Sequence, residues 1–515
     1  MLQYSLVYLN ISKSGAKVRI SEKKTKSFLA FSEIRVIFAA RMSILITVIA
    51  YFAILYGISH LTRGKADNNT FFRANRRAPW YMVAFGMVGA SISGVTFVSV
   101  PGMVLTSQMT YLQMCMGFIV GYIAIAFVLL PLYYRLQLTS IYTYLGQRLG
   151  NRSYLTGAWF FLISKMIGAA VRFYVVCIIL QQFVFDPAGI PFAVNVIGMV
   201  TLIWLYTRRG GIGTLVFTDT FQTICLFTAL VLIIMEAISQ MNLSVGEAIR
   251  VISDSPMSRI FVFDDWVSPH NFWKQFLSGA FIAIVMTGLD QDMMQKNLTI
   301  KTLKDAQKDM CTYGVAFVPA NLLFLALGVL MAILAGDITG LKGDELLPGF
   351  VQSAADYHLS FIIYHLFILG ILAASFSSAD SALTALTTCY CVDIRRQSGN
   401  ESLRKRMHIA ICVVFVIFII LFRAINSTSL IDAIYTIASY TYGPLLGLFS
   451  FGLFTHRKPK DKLVPYICIA SPLLCYALDV ATQQLWGYRF GYELLMLNGL
   501  LTFSGLWISS LYSNR

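Results

Sequence analysis

The sequence predicts an all-α protein that crosses a membrane many times. Of its 515 residues, 57% are apolar and only 13% are charged, whereas an average soluble domain has roughly 45–50% apolar and about 25% charged residues. The apolar residues form long blocks separated by short polar connections, and a helix needs about 20 apolar residues to cross the hydrocarbon core. This composition excludes a water-soluble protein.

Thirteen spans are predicted from these blocks. They cover approximately residues 43–62, 79–105, 111–133, 154–185, 190–206, 211–238, 270–293, 309–336, 361–392, 407–425, 430–454, 463–484 and 492–512. An odd number of spans places the two chain ends on opposite sides of the membrane.

The positive residues predict which side is cytoplasmic. The loops on one side hold 24 Lys and Arg residues, among them Lys296 and Lys301, and the loops on the other side hold five. Lys and Arg concentrate on the cytoplasmic side, so the protein is predicted to lie in the cell inner (plasma) membrane with a cytoplasmic C-terminus. Most of the net charge of +15 is then explained by topology, and no nucleic acid partner is predicted.

The basic N-terminal extension, residues 1–41, conflicts with this topology. It holds eight basic and two acidic residues, yet it is predicted on the outer side. Either it folds back on the outer surface, or the chain begins at Met42. The second interpretation is favoured, because the segment lacks the long apolar core and the cleavage site of a signal peptide.

The second span carries residues that weaken a membrane helix in its middle. Gly86, Gly89, Ser91, Ser93 and Gly94 follow one another closely, and Pro101-Gly102 ends the segment. Lipid does not tolerate unpaired carbonyls, so an interrupted helix at this place indicates a cation or substrate site. Close packing of helices through small residues is the competing interpretation.

The ninth span places hydroxyl groups along one helix face. Small and hydroxyl residues recur at positions 374, 377, 378, 381, 384 and 388, the three- and four-residue spacing of a single face. Hard oxygen ligands of this kind suit a small cation such as Na⁺, although Ser and Thr also join helices by hydrogen bonds. Asp380 favours a functional site, because a carboxylate inside a span is costly.

Other charged residues are predicted inside spans. Asp219 lies in the sixth span, and Lys165 and Arg172 lie two turns apart on one face of the fourth. Pairing of these two cations with the in-span aspartates is one interpretation. Asp290 and Asp292 are predicted near the cytoplasmic end of the seventh span, where a solvated or gating role is expected.

At this point the chain resembles the sodium/solute symporter family. The resemblance runs from about residue 43 to 454 and rests on four segments: Gly89–Gly102, Thr218-Asp219 with Gln222, Gly288-Leu289-Asp290-Gln291, and Ala374 with Ser377-Ser378. It implies a five-plus-five inverted repeat of the leucine-transporter type. The repeats would be 79–238 and 270–454, with the helix 43–62 before them and two peripheral helices, 463–512, after them.

The resemblance also implies two sodium sites. The family's conserved site would consist of the main-chain carbonyls of Gly89, Ile92 and Ala374 and the hydroxyls of Ser377 and Ser378. A second site, found in some members, would use Asp219, Ser377, Asp380 and Ser381. Since Asp380 stands where that second site usually has a hydroxyl, the number of coupled ions and a proton shared between Asp219 and Asp380 stay open.

These features predict a Na⁺-coupled importer that works by alternating access on a small polar solute. Na⁺ is its expected coupling ion, and membrane lipids and the solute are its expected partners. It is expected to function as a monomer. A non-transporting nutrient sensor or a channel on the same scaffold is the alternative. An enzyme is not predicted, since the six histidines form no cluster with cysteines or carboxylates.

Arg172 suggests the chemistry of the substrate. Its predicted depth is that of the substrate site in this fold, and its planar guanidinium matches a carboxylate with two hydrogen bonds. We therefore expect a carboxylate or sugar acid bound by Arg172, with Thr96, Phe97 and Met286 as neighbours. A structural role for Arg172, held by hydroxyls and carbonyls of adjacent helices, is the competing interpretation.

Overall fold

The computed structural model describes residues 43, 45–62, 68–336, 343–353, 360–425, 430–488 and 490–512. The chain divides into two compact units, Met1–Val48 and Ile49–Arg515. The predicted extension 1–41 lies outside the described residues. The second unit holds every site residue that the sequence predicts.

The described residues form helices, in agreement with the predicted fold class. The long helices are α1 (Leu45–Thr62), α2 in two halves (α2a, Trp80–Ser91, and α2b, Gly94–Ser107), α3 (Tyr111–Arg135), α4 (Asn151–Leu180), α5 (Phe192–Gly210), α6 (Ile212–Gln240), α7 in two halves (α7a, Phe272–Gly288, and α7b, Gln291–Asn297), α8 (Leu303–Ala335), α9 (Tyr364–Ile394), α10 (Glu401–Ala424), α11 (Ile434–Phe454), α12 (Val464–Trp486) and α13 (Leu494–Leu511). Shorter helices cover Asn68–Arg73, Thr143–Arg148, Val245–Asp254 and Leu346–Ser353.

The number of spans is close to the predicted number. Among the described residues, ten helices are long and apolar enough to cross a membrane, or twelve if each of the two bent pairs counts as one span. Helix α5 has 19 residues, about 28 Å at 1.5 Å per residue, and is less apolar than these. The all-helical, polytopic fold class is therefore confirmed, while the count of thirteen stays a prediction.

The long helices differ in how much of their surface is buried. Within the most apolar stretch of each helix, 89% of the residues of α9 and 72% of those of α4 are buried, against 28% for α1 and α10 and 22% for α12. Helices α4 and α9 are therefore central. The polar residues of α9 face other helices rather than lipid, as the cost of polar groups in hydrocarbon requires.

The two bent spans, α2 and α7, lie five spans apart. The bend between α2a and α2b is 59°, and the bend between α7a and α7b is 70°. A five-plus-five inverted repeat places an equivalent helix at the start of each half. The two breaks fit that arrangement, and the boundaries 79–238 and 270–454 remain predictions.

Candidate functional site

The break in α2 leaves main-chain carbonyls outside the helical hydrogen-bond ladders, at the place that the glycines and serines predict. Ile92 and Ser93 have extended backbone conformations between the two helical halves. The N–H of Ile92 ends the first hydrogen-bond ladder on the carbonyl of Val88, and the N–H of Phe97 begins the second on the carbonyl of Ser93. The carbonyls of residues 89–92 therefore fall between the two ladders.

The hydroxyl face of α9 lies directly against this break. The Ser378 hydroxyl donates to the carbonyl oxygen of Ala90 at 2.8 Å and lies 3.2 Å from that of Ala374. Ser377 and Ala374 are also buried. The structure thus brings the predicted ligands of the first sodium site to the contact between α2 and α9.

Glycines permit the close approach of these helices. A Cβ atom at Gly89 would overlap with the Thr223 hydroxyl of α6 and lie 2.8 Å from Cβ of Thr223, and a Cβ atom at Gly94 would overlap with the Ser375 hydroxyl of α9. Two of the glycines that weaken α2 therefore also set its distance from α6 and α9. Both interpretations of the glycine-rich segment, a break and close packing, hold in the structure.

The residues of the expected first sodium site, between α2 and α9, are suited to a sodium ion. Its oxygens are neutral carbonyls and hydroxyls in a buried place, which is the hard, flexible ligand set that small alkali cations prefer. The carbonyls of Gly89 and Ile92 belong to α2, whereas the hydroxyls of Ser377 and Ser378 belong to α9, so a bound cation would join the two helices.

The residues of the expected second sodium site also come together, but with a lysine. The Asp219 carboxylate accepts a hydrogen bond from the Ser377 hydroxyl at 3.0 Å and lies 2.8 Å from the ammonium of Lys296. Asp380 accepts from the Tyr206 hydroxyl at 2.7 Å and from the Ser381 hydroxyl at 3.3 Å.

The prediction for Lys296 is wrong here, and the interpretation that pairs Lys165 with Asp219 or Asp380 does not hold. Lys296 is not a cytoplasmic loop residue: it lies on α7b and is only 2% exposed. Its partner Asp219 is likewise buried, as is Asp380. Lys165 therefore does not pair with Asp219 or Asp380. When Lys296 is left out of the count, Lys and Arg residues still outnumber those of the other side in the loops predicted to be cytoplasmic.

Lys165 instead binds the two aspartates at the break in α7. Its ammonium lies 3.1 Å from Asp290 and 2.7 Å from Asp292, and the Tyr442 hydroxyl donates to Asp290 at 2.7 Å. Both aspartates are at most 4% exposed, so the expected solvated position is wrong. Asp290 also caps α7b by accepting from the N–H of Asp292.

Sequence reasoning missed α7b, although a signal for it exists. The prediction ran the seventh span through residue 293 as one helix, and it assigned Lys296 to a loop. An aspartate that precedes an acidic first turn is typical of a helix start. Asp290 and Asp292, two and four residues after Gly288, have this pattern, which indicates the start of a second helix that holds Gln295, Lys296 and Asn297.

A cavity of about 100 Å³ lies beside the break in α2. Arg172, Thr96 and Met286 line it, as predicted, together with Lys165 and the tyrosines 111, 122, 313, 435 and 442. Phe97 is not among the described residues that line the cavity. It is fully buried against Phe324 and Phe367, with ring centroids 5.4 and 6.2 Å away.

Arg172 differs from the two lysines near it. Lys165 and Lys296 are each ion-paired, whereas Arg172 has no carboxylate of the described residues within 4.0 Å. Tyr435 and Tyr442 line the same cavity as Arg172. The Arg172 side chain is thus half-buried at the cavity and forms no ion pair with any residue that the structure describes.

Comparison with known proteins supports a transport function. The chain is 25% identical over 451 residues to the sodium/sialic acid symporter SiaT of Proteus mirabilis, covering 81% of this chain and 85% of the relative. It is 25% identical over 491 residues to the sodium/sialic acid symporter NanT of Aliivibrio fischeri, covering 89% and 92%. The proteins it resembles are therefore transporters and not enzymes.

A solved structure has a similar fold. A substrate-bound, outward-open Na⁺-coupled sialic acid symporter superposes with a TM-score of 0.75 at 19% identity, covering 92% of this chain and 98% of that one. The family model described as the sodium:solute symporter family matches residues 71–461. Together with the helices that are apolar and long enough to span a membrane, these matches make the chain a multi-pass, Na⁺-coupled symporter for a small molecule. It belongs to the sodium:solute symporter family.

Proposed function

We propose that this symporter imports a small organic anion of the sugar-acid class and that Arg172 binds the carboxylate. The observation that carries the proposal is the guanidinium of Arg172, which lines the cavity without an ion pair from the described residues. The relatives that transport sialic acid, itself a sugar acid, support the same substrate class.

The contrast with the lysines explains why Arg172 points to a ligand. A cation removed from water is costly unless a partner compensates for its lost hydration. Lys165 and Lys296 have carboxylate partners within 3.1 Å, so their charge is compensated by the protein. A substrate carboxylate would do the same for Arg172 and would accept two parallel N–H bonds from its planar fork.

The rest of the cavity suits a hydroxylated substrate better than a purely apolar one. The Tyr111 and Tyr435 hydroxyls lie 2.9 Å apart, and the Tyr313 hydroxyl lies 2.9 Å from that of Tyr122 and 2.5 Å from that of Ser91. Hydroxyl groups both donate and accept. Together with Thr96, they offer the exchangeable hydrogen bonds that a polyhydroxy acid requires.

Coupling would depend on the proposed sodium site. Na⁺ held by the carbonyls of Gly89, Ile92 and Ala374 and by Ser377 and Ser378 would order the break in α2, whose residues Ser93 and Thr96 line the cavity. Because the coupling is a binding free energy, Na⁺ must raise the substrate affinity by the factor by which substrate raises the Na⁺ affinity. The positive bias of the loops supports a cytoplasmic C-terminus.

Uptake into proteoliposomes tests the proposal. An inward Na⁺ gradient would be applied with radiolabelled sialic acid, in competition with glucuronate, gluconate, lactate, glucose and proline. We expect the acids to compete and the neutral sugar and the amino acid not to compete. Arg172→Lys keeps the charge but loses the planar fork, so it should lower uptake more than about tenfold, the effect of about 1.4 kcal/mol.

The matched control is Arg152→Lys, the same substitution at an exposed position on the same helix. It should leave uptake unchanged, and the Arg172→Lys protein should still bind radiolabelled Na⁺. A neutral solute that emerges as the high-affinity substrate, or full carboxylate uptake by Arg172→Lys, would contradict the proposal.

A further inference from the structure

A lysine ammonium lies where the resemblance implies a second sodium ion. The Lys296 ammonium is 2.8 Å from the Asp219 carboxylate, and the two side chains are 3% and 1% exposed. Ser377 donates to the other oxygen of the same carboxylate, and the buried Asp380 lies three residues further along α9. Of the four expected ligands, Asp219 is thus a member of the pair and Ser377 contacts it.

This arrangement does not suit a second sodium ion. A sodium ion bound by Asp219 would lie next to a positive charge that already uses one carboxylate oxygen, and the site is closed to water that could screen the two cations. The remaining carboxylate, Asp380, has donors of its own in the Tyr206 and Ser381 hydroxyls. The residues therefore assemble as expected, while the cation that neutralises Asp219 is part of the chain.

The pair also bears on the first sodium site through Ser377. A hydroxyl has one proton to donate and two lone pairs to offer. Because the proton of Ser377 goes to Asp219, its lone pairs are left to coordinate a cation that the carbonyls of the α2 break would also bind. Lys296 holds the Asp219 carboxylate in place, so it acts on Ser377 as a positioning residue and not as a sodium ligand.

We propose that Lys296 is a tethered cation that replaces the second sodium ion of the site, so that this symporter couples one sodium ion to each substrate. The inference rests on the proposed first sodium site, formed by α2 and α9. It answers the question, raised by Asp380, of how many ions are coupled. The cation near the Asp219 and Asp380 carboxylates is the ammonium of Lys296, which is part of the chain, and not a transported ion.

Equilibrium binding of radiolabelled Na⁺ to the purified, full-length protein tests the inference without any substrate. The wild-type protein should bind one ion per chain, and uptake should depend on Na⁺ with a Hill coefficient of about one. In Lys296→Met the Asp219 carboxylate is released, so a second ion should bind and the Hill coefficient should rise above one. Adding Asp219→Asn to Lys296→Met should return the number of bound ions to one.

Two further variants control for the loss of a charge. Lys296→Arg keeps the cation and should keep one bound ion. Lys301→Met makes the same change at an exposed lysine and should also keep one bound ion. If Lys296→Met does not fold, the wild-type ratio of Na⁺ to substrate flux decides: two ions per substrate overturn the inference, and one upholds it.

The outcomes separate this inference from the proposed substrate. Two bound ions in the wild-type protein, or one in Lys296→Met, would overturn the tethered cation while leaving carboxylate uptake through Arg172 intact. Failure of every carboxylate to compete would overturn the proposed substrate class, yet the number of bound sodium ions would still be measured.

Discussion

The two bent spans, α2 and α7, interrupt the membrane helix in chemically different ways. At the break in α2, the carbonyls of residues 89–92 lie between two hydrogen-bond ladders, and the Ser378 hydroxyl reaches only that of Ala90. At the break in α7, the Tyr133 hydroxyl donates to the carbonyl of Gly288 and the Tyr142 hydroxyl donates to that of Leu289, each at 2.9 Å.

The charges at the two breaks differ as well. In α7, Asp290 caps the second half and binds Lys165, whereas no charged residue occurs between Trp80 and Ser107 in α2. We therefore expect a cation site at a broken membrane helix where the protein leaves most carbonyls of the break without donors. By this criterion, α2 is the proposed sodium-binding break, and α7 is a break that the protein itself stabilises.

The largest expected effect is at the charged break, α7. Removing one partner of a buried ion pair leaves an uncompensated charge and costs roughly 3–5 kcal/mol. Lys165→Met strands both Asp290 and Asp292, so we expect a large loss of thermal stability in detergent. Adding Asp290→Asn should recover part of it, which a double-mutant cycle measures. The exposed Lys301→Met is the control, and unchanged stability of Lys165→Met would contradict the assignment.

The second effect compares a glycine at each break. In Gly89→Ala the new Cβ atom meets the hydroxyl and the Cβ of Thr223, which lie next to a helix backbone, whereas in Gly288→Ala it meets the flexible ends of Leu129 and Ile125. Overpacking costs roughly 1–3 kcal/mol where neighbours cannot move. Gly89→Ala should therefore lower stability and Na⁺-dependent uptake more than Gly288→Ala.

The control for this comparison is Gly198→Ala on α5, where nothing lies within 4 Å of the added Cβ atom. It should fold and transport as the wild-type protein does. Equal loss of uptake in Gly89→Ala and Gly288→Ala would remove the distinction between the breaks.

The smallest effect is expected when a hydroxyl group is removed at either break. Ser377→Ala and Ser378→Ala each remove one proposed sodium ligand at α2, so the Na⁺ concentration for half-maximal uptake should rise several-fold. Tyr133→Phe removes a donor at α7 and should cost about 1 kcal/mol of stability without changing that concentration. Wild-type Na⁺ dependence in both serine variants would show that the sodium site lies elsewhere.

Much of the fold and part of the site were predictable from local patterns. Blocks of apolar residues predict spans because a helix must be about 20 residues long to cross the hydrocarbon core, and the structure has helices in all of these blocks. The glycines and serines of 86–94 predict the break in α2, and the spacing of Ala374, Ser377 and Ser378 predicts a single face of α9. Both signals arise from neighbours along one helix.

The pairing of charges was not predictable in the same way. The sequence indicated buried aspartates and cations inside spans but not their partners, because residues 125 and 77 positions apart, as in Lys165–Asp290 and Asp219–Lys296, meet only after the helices pack. Phe97 was expected in the cavity for the same reason: its depth was predictable, but the side of the helix that faces Phe324 and Phe367 was not.

The sequence by itself determined that the chain is an all-helical membrane protein, that α2 is interrupted at glycines and serines, and that carboxylates stand inside spans. Hydrophobic thickness and helix periodicity act locally, so they can be read from order along the chain. Only the tertiary structure decided that α7 bends after Gly288 and carries Lys296 to Asp219. The buried position of Lys296 depends on that contact, because a lysine is stable in the core only where the fold supplies a carboxylate to compensate its charge.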